Sequence, residues 1–178
     1  MHAIEAAVTP LNWDLYRTAV VGIRFRDRTV RVEPRPSGTT QGSFPEPAGG
    51  SPVHVITAWN PLGRTASADA NARAQRLLSD EIHRRGLTWW SAEGGDVHGT
   101  HREESVAVVG LSDTAARGLG RRFGQDAVFA WTPGAWRVLA CGTGAASVSG
   151  WAAFESAAAG VFPVHRPNGA GPTASRPR

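Results

Sequence analysis

The chain contains no lysine: all 19 of its basic residues are arginine. With so much Ala and Gly, this reads as GC-rich coding rather than selection for phosphate contacts. Arg still favours bidentate anion binding wherever it clusters. There is one cysteine, Cys141, at the end of an apolar run. A lone cysteine excludes an intramolecular disulfide framework and points to a reducing compartment. Cys141 itself reads as a small buried hydrophobe rather than a nucleophile. No stretch approaches the roughly 18 consecutive apolar residues of a membrane span. The opening Met1-His2-Ala3-Ile4-Glu5 has neither the basic nor the apolar region of a secretory signal. A cytoplasmic protein without a membrane partner is expected. Complete catalytic and cofactor motifs are lacking too. Ser105 has no Gly-x-Ser-x-Gly elbow around it. Gly118, Gly120 and Gly124 lie within and after a helical pattern rather than before one, so they form no phosphate loop.

What is present is an ordinary globular composition, 41% hydrophobic over 178 residues, enough for one domain with additions. The formal charge of +4 suggests nucleic acid until it is divided by region. Residues 1–52 carry six Arg against five acids, residues 53–141 ten against nine, and residues 142–178 three against one. The excess is thinly spread.

Local patterns give the expected organisation. Residues 1–32 read as a helix and hairpin extension, with apolar residues and Arg alternating from Val20 to Val32. Residues 33–52 are rich in Pro and Gly and read as a loop. The core spans 53–141. Val53 to Trp59 is a strand, and Ser67 to Arg85 a helix with Ala70, Ala74, Leu77, Leu78 and Ile82 on one face. Leu87 to Ala92 and Ser105 to Leu111 are strands. Ser112-Asp113 opens a second helix that Gly124 ends, and Ala127 to Trp131 is a fourth strand. Thr132-Pro133-Gly134 turns the chain into an added strand from Trp136 to Cys141. The order β-α-β-β-α-β predicts an α+β, ferredoxin-like split βαβ sheet with two helices on one face. The 142–178 segment reads as an Ala/Gly/Pro-rich tail with a disordered end, and Trp151, Phe154, Val161 and Phe162 as a short docking helix.

Such a sheet collects its polar residues at one edge, after strand one and beside the loop between strands two and three. Asn60 and Gln125 are placed to orient a polar ligand there. Arg64 is placed to neutralise an anion, with Trp59, Asn71 and Glu103 beside them. Glu104 is the candidate general base; two successive carboxylates on a strand point to opposite sides, so one alone faces a pocket. Asp96, His98 and His101 are weak candidates for a divalent metal, because the spacing matches no established site. No cofactor is expected. Seven Trp and the helix-borne Arg residues give an alternative class, an RNA- or ribosome-associated accessory protein, and a protein–protein adaptor is a third.

The segments Ile56-Thr57-Ala58-Trp59-Asn60-Pro61, Asn71, Glu103-Glu104-Ser105 and Phe123-Gly124-Gln125-Asp126-Ala127-Val128-Phe129 have a specific spacing. Over about residues 53–132 the chain resembles an uncharacterised bacterial family, domain of unknown function 3293. The resemblance implies that Asn60, Glu104 and Gln125 belong together. It implies no activity. The expected function is therefore binding of a polar or anionic small molecule at the strand-end edge, with hydrolytic or transfer chemistry as the sharper version. Whether any reaction is catalysed, and the oligomeric state, stay open.

Overall fold

Four strands of this protein bury both faces, and the two faces feed different cores. The structure, a computed structural model, describes residues 11–157. In chain order, α1 (Trp13–Arg17) leads into a hairpin of β1 (Val20–Arg24) and β2 (Arg28–Arg35). A two-residue strand, β3 (Thr40–Gln41), precedes β4 (Val53–Thr57). Then follow α2 (Ala68–Arg84), β5 (Thr88–Gly95), β6 (Arg102–Val109), α3 (Asp113–Arg122), β7 (Ala127–Thr132), β8 (Ala135–Ala140) and β9 (Ala146–Ala157).

The strands lie in the order β2-β1-β5-β6-β4-β7-β8-β9, and β2 pairs with β9 from Arg28 opposite Ala157 to Arg35 opposite Gly150. The sheet thus closes on itself as an eight-stranded antiparallel barrel, with β3 added parallel to β9. Closure removes the exposed edges that an open sheet must protect. The expected open, ferredoxin-like α+β sheet is overturned. The four strands β5-β6-β4-β7 and the two helices are present, but the sheet does not stop at either side of them. The hairpin of residues 20–35 and the strands of 135–157 complete the cylinder. Trp151 and Phe154, expected on a docking helix, lie in β9 instead. Val161, Phe162 and the expected disordered end of the tail lie outside the described residues.

Alternation along the strands sorts side chains between the two cores. Val53 and Val55 of β4, Ala107 of β6, Trp131 of β7, Trp136 of β8 and Trp151 of β9 point into the barrel. Ile56 of β4, Val106 and Val108 of β6, Val128 and Ala130 of β7 and Leu139 of β8 point outward, where Leu78 and Ile82 of α2 and Ala116 and Leu119 of α3 cover them. The expected helix starts hold. Ser67 Oγ accepts from the Ala70 amide at 3.2 Å and Ser112 Oγ from the Ala115 amide at 3.1 Å, satisfying first-turn donors. Segment 36–52 runs against the barrel, and its Phe44 meets Trp131 edge-on at 5.0 Å between ring centroids.

The interior is filled unevenly. One end is packed with rings: Phe129 stacks on Trp136 at 5.2 Å, and Trp131 meets Trp151 edge-on at 5.3 Å. Towards the other end the inward residues shrink. β5 goes from Trp90 through Ala92 to Gly94, β7 from Trp131 through Phe129 to Ala127, and Thr57 pairs with Ser105. An eight-stranded barrel is just wide enough to be plugged by side chains or to hold one small ligand. Here the rings plug one end and leave the other open.

Candidate functional site

The site begins where β4 ends. Thr57 Oγ1 donates to the Glu104 carbonyl at 2.7 Å and accepts from the Trp59 amide at 3.0 Å, which fixes the exit of the strand. Asn60 then adopts a left-handed backbone (φ 49°, ψ 52°), a conformation that Asn tolerates because its short side chain can bond locally. It is held there from two sides. Its amide donates to Asn71 Oδ1 at 2.9 Å, and its Oδ1 accepts from Asn71 Nδ2 at 3.1 Å and from the Ala66 amide at 3.0 Å. Pro61 to Gly63 form a tight turn in which Leu62 is itself left-handed (φ 61°), and this turn interlocks with the one after α3. Leu62 donates its amide to the Gly124 carbonyl at 2.7 Å, and a Cβ on Gly124, itself at φ +71°, would stand 2.8 Å from Pro61 Cβ. Gln125 Nε2 donates to the Trp59 carbonyl at 2.9 Å. The Trp-Asn-Pro segment is thus clamped by α2 on one side and by the α3–β7 turn on the other.

These contacts form the rim of a cavity of about 410 Å³ in the open end of the barrel. Its apolar wall includes Val55, Ala127, Phe129 and the ring of Tyr16 on α1, whose centroid lies 6.1 Å from that of Phe129. Its polar side carries Asn60, His101, Glu103 and Asp126. Glu103 Oε1 accepts from Asn60 Nδ2 at 2.7 Å and lies 3.1 Å from His101 Nε2. Both bonds fall on one carboxylate oxygen, and Oε2 has no partner among the described residues. The field here is negative. The Tyr16 hydroxyl is pushed up to about 12, first by burial and then by the nearby Asp126 and Glu103 carboxylates.

The structure therefore brings Trp59, Asn60, Glu103 and Gln125 to one cavity. Asn71 is buried behind it and positions Asn60. Glu104 is exposed and contributes its backbone carbonyl, not its carboxylate, to this end of the barrel. Arg64 is also exposed and is not among the residues lining the cavity, although Gly63 and Thr65 are. Asp96 spends its carboxylate closing the β5–β6 loop, accepting from the His98, Thr100 and His101 amides and from the Thr100 hydroxyl. These bonds, with the Thr100 hydroxyl foremost, hold it well below the usual carboxylate range. Among the described residues no group of three or more His, Cys, Asp or Glu has the geometry to hold a metal ion. Cys141 is buried, and burial pushes its thiol up to about 11. Trp131, Trp136 and Trp151 fill the barrel rather than lying on an open face.

Sequence reasoning collected Asp126 at the same strand-end edge, where it lines the cavity, but missed Tyr16. The available signal for Tyr16 was its solitude: it is the one tyrosine of the chain. Its short helix looked like part of an appendage because nothing local ties it to the barrel mouth.

Residues 56–128 match the model of a family described as Protein of unknown function (DUF3293). This bears out the resemblance read from the sequence. The matched segment runs from β4 into β7, so it carries Asn60, Asn71, Glu103 and Gln125, whereas Tyr16 lies before it. No curated protein and no solved structure matches the chain. No helix among the described residues is long and apolar enough to cross a membrane.

Proposed function

We propose that this protein holds a small molecule in the open end of its barrel. The observation that carries this reading is the shrinking of inward side chains towards that end, which leaves about 410 Å³ bounded by an apolar wall and one polar side. Concave, largely apolar sites with a few convergent polar groups are the usual form of small-molecule sites, and the volume lies in their range of about 300–1,000 Å³. The rim is also stiff. Asn60, Asn71, Gln125 and Gly124 interlock three loops, so the polar groups are held before any ligand arrives, which lowers the ordering cost of binding.

Native mass spectrometry of untagged protein, followed by denaturing spectra of the same sample, tests the reading. A mass excess that vanishes on denaturation is expected, and Ala127→Leu, which places extra methyl groups in the cavity, is expected to purify without it. A bare chain mass from both proteins, or an excess that the variant retains, counts against the cavity as the site.

A further inference from the structure

The geometry points to a ligand with an amine or amidine head, seated against Glu103 and Asp126, and an apolar body lying along Val55, Ala127 and Phe129. This inference rests on the barrel-mouth reading and adds to it the chemical class of the ligand.

Three observations support the cationic head. The first is the half-used carboxylate. Asn60 and His101 both approach Oε1 of Glu103, a residue that lines the cavity, and Oε2 has no partner among the described residues. A free carboxylate oxygen is best satisfied by a charge-assisted N–H donor. The second is the balance of charge around the cavity. Glu103 and Asp126 line it, Asp126 has no hydrogen-bond partner for its carboxylate among the described residues, and no arginine is among the described lining residues. An anion entering here would meet the Glu103 and Asp126 carboxylates, with the His101 ring, 3.1 Å from Glu103, the one basic side chain among the described lining residues, and like charges in a partly desolvated site repel strongly. The third is the aromatic pair at the mouth. The Tyr16 and Phe129 rings stand 6.1 Å apart on the apolar wall, and ring faces attract cations but not anions. Burial first, and then the Asp126 and Glu103 carboxylates, raise the Tyr16 hydroxyl beside them.

The wall also sets the body of the ligand. Beyond Glu103, the inward positions are Ser105, Thr57, Ala127, Val55 and Phe129, so polarity falls off with depth. A molecule charged along its whole length would bury charge against hydrocarbon, which costs several kcal/mol without a partner. One charged end and one apolar end fit this gradient.

The test uses the full chain and three probes of one shape: 4-phenylbutylamine, 4-phenylbutanol and 4-phenylbutyrate, titrated calorimetrically at pH 7.5. The amine is expected to bind at least tenfold tighter than the carboxylate, with the alcohol between them. Glu103→Gln is expected to weaken the amine about tenfold and leave the alcohol unchanged. Asp126→Asn, at an exposed position where folding is not at risk, is expected to weaken the amine in the same direction by a smaller factor. Carboxylate binding as tight as amine binding, or amine binding unchanged in both variants, overturns the inference. Equal binding of all three probes leaves the cavity in place and removes the cationic assignment. If none binds, both fall.

Discussion

His54 is completely buried on the outer face of β4, with Nε2 2.9 Å from Asp113 Oδ1 at the start of α3. Arg137 of β8 grips the same Asp113 carboxylate with two nitrogens. Burial pulls the imidazole below its ordinary value, and the Asp113 bond offsets that only in part. Asp113 is held below the usual carboxylate range: burial opposes this, but the Arg137 and His54 bonds outweigh it. Each sign fixes a pH window. A histidine whose folded value is depressed contributes its full stability above about pH 6.5, and the contribution falls as pH drops below that. Asp113 acts in the same direction lower down, from about pH 4. Urea unfolding followed from pH 7.5 to 4.5 should therefore show stability declining with acidification, and His54→Gln should flatten the decline between pH 6.5 and 5. A slope that His54→Gln leaves unaltered would remove the histidine from the account. The Glu103 and Glu104 pair teaches a different lesson at this scale. That one of two neighbouring carboxylates faces the cavity follows from the pleat alone, but which one depends on the phase of β6. Val106 and Val108 feed one core while Ala107 feeds the other. With both faces apolar, the phase was not readable without the neighbours.

At the scale of elements, α3 lies so close to the sheet that its glycines have opposite meanings. A Cβ on Gly120 would stand 2.7 Å from both Cys141 Sγ and Val128 Cγ1. On Gly118 the nearest such atom is Arg121 Nη2 at 3.8 Å. Gly to Ala in a helix interior is worth about 1 kcal/mol in propensity. At Gly118 that gain stands alone, so Gly118→Ala should raise stability by about 0.5–1 kcal/mol. At Gly120 overpacking of about 1–3 kcal/mol exceeds it, so Gly120→Ala should lower stability. Thermal unfolding of the two variants in parallel measures both signs, and a stabilised Gly120→Ala would show that the interface yields more easily than its distances imply. The helices were legible because each shows a 3.6-residue apolar face and a Ser cap. β9 was not. Its sequence, Ala146 to Ala157, reads as low complexity, yet the small residues are there because other backbone comes close. A Cβ on Gly150 would collide with the Thr39 and Pro36 carbonyl oxygens.

At the scale of the whole molecule, closure is the property that no local pattern reports. The pairing that seals the barrel joins residues 28–35 to 150–157, more than a hundred positions apart, and each partner alone looks like a strand with an unspecified neighbour. The candidate site was more readable than the fold, since the ends of β4, β6 and β7 come together in a closed barrel as they would in an open sheet. Two cores share the same strands, one inside the cylinder and one under the helices. They should therefore melt together. Tryptophan fluorescence, to which the buried Trp131, Trp136 and Trp151 contribute, and far-ultraviolet circular dichroism should give superimposable urea transitions. Separate midpoints would mean that the helix layer can leave an intact barrel. Synthesis on the ribosome meets the same seam as a matter of timing. The stave that must receive the last one, β2, emerges early, and β9 emerges only after every other described element. Until residue 157 is free of the exit tunnel the nascent sheet has two unpaired sides and no enclosed cavity, so a translational pause before that point would leave a sticky, ligand-blind chain in the care of chaperones.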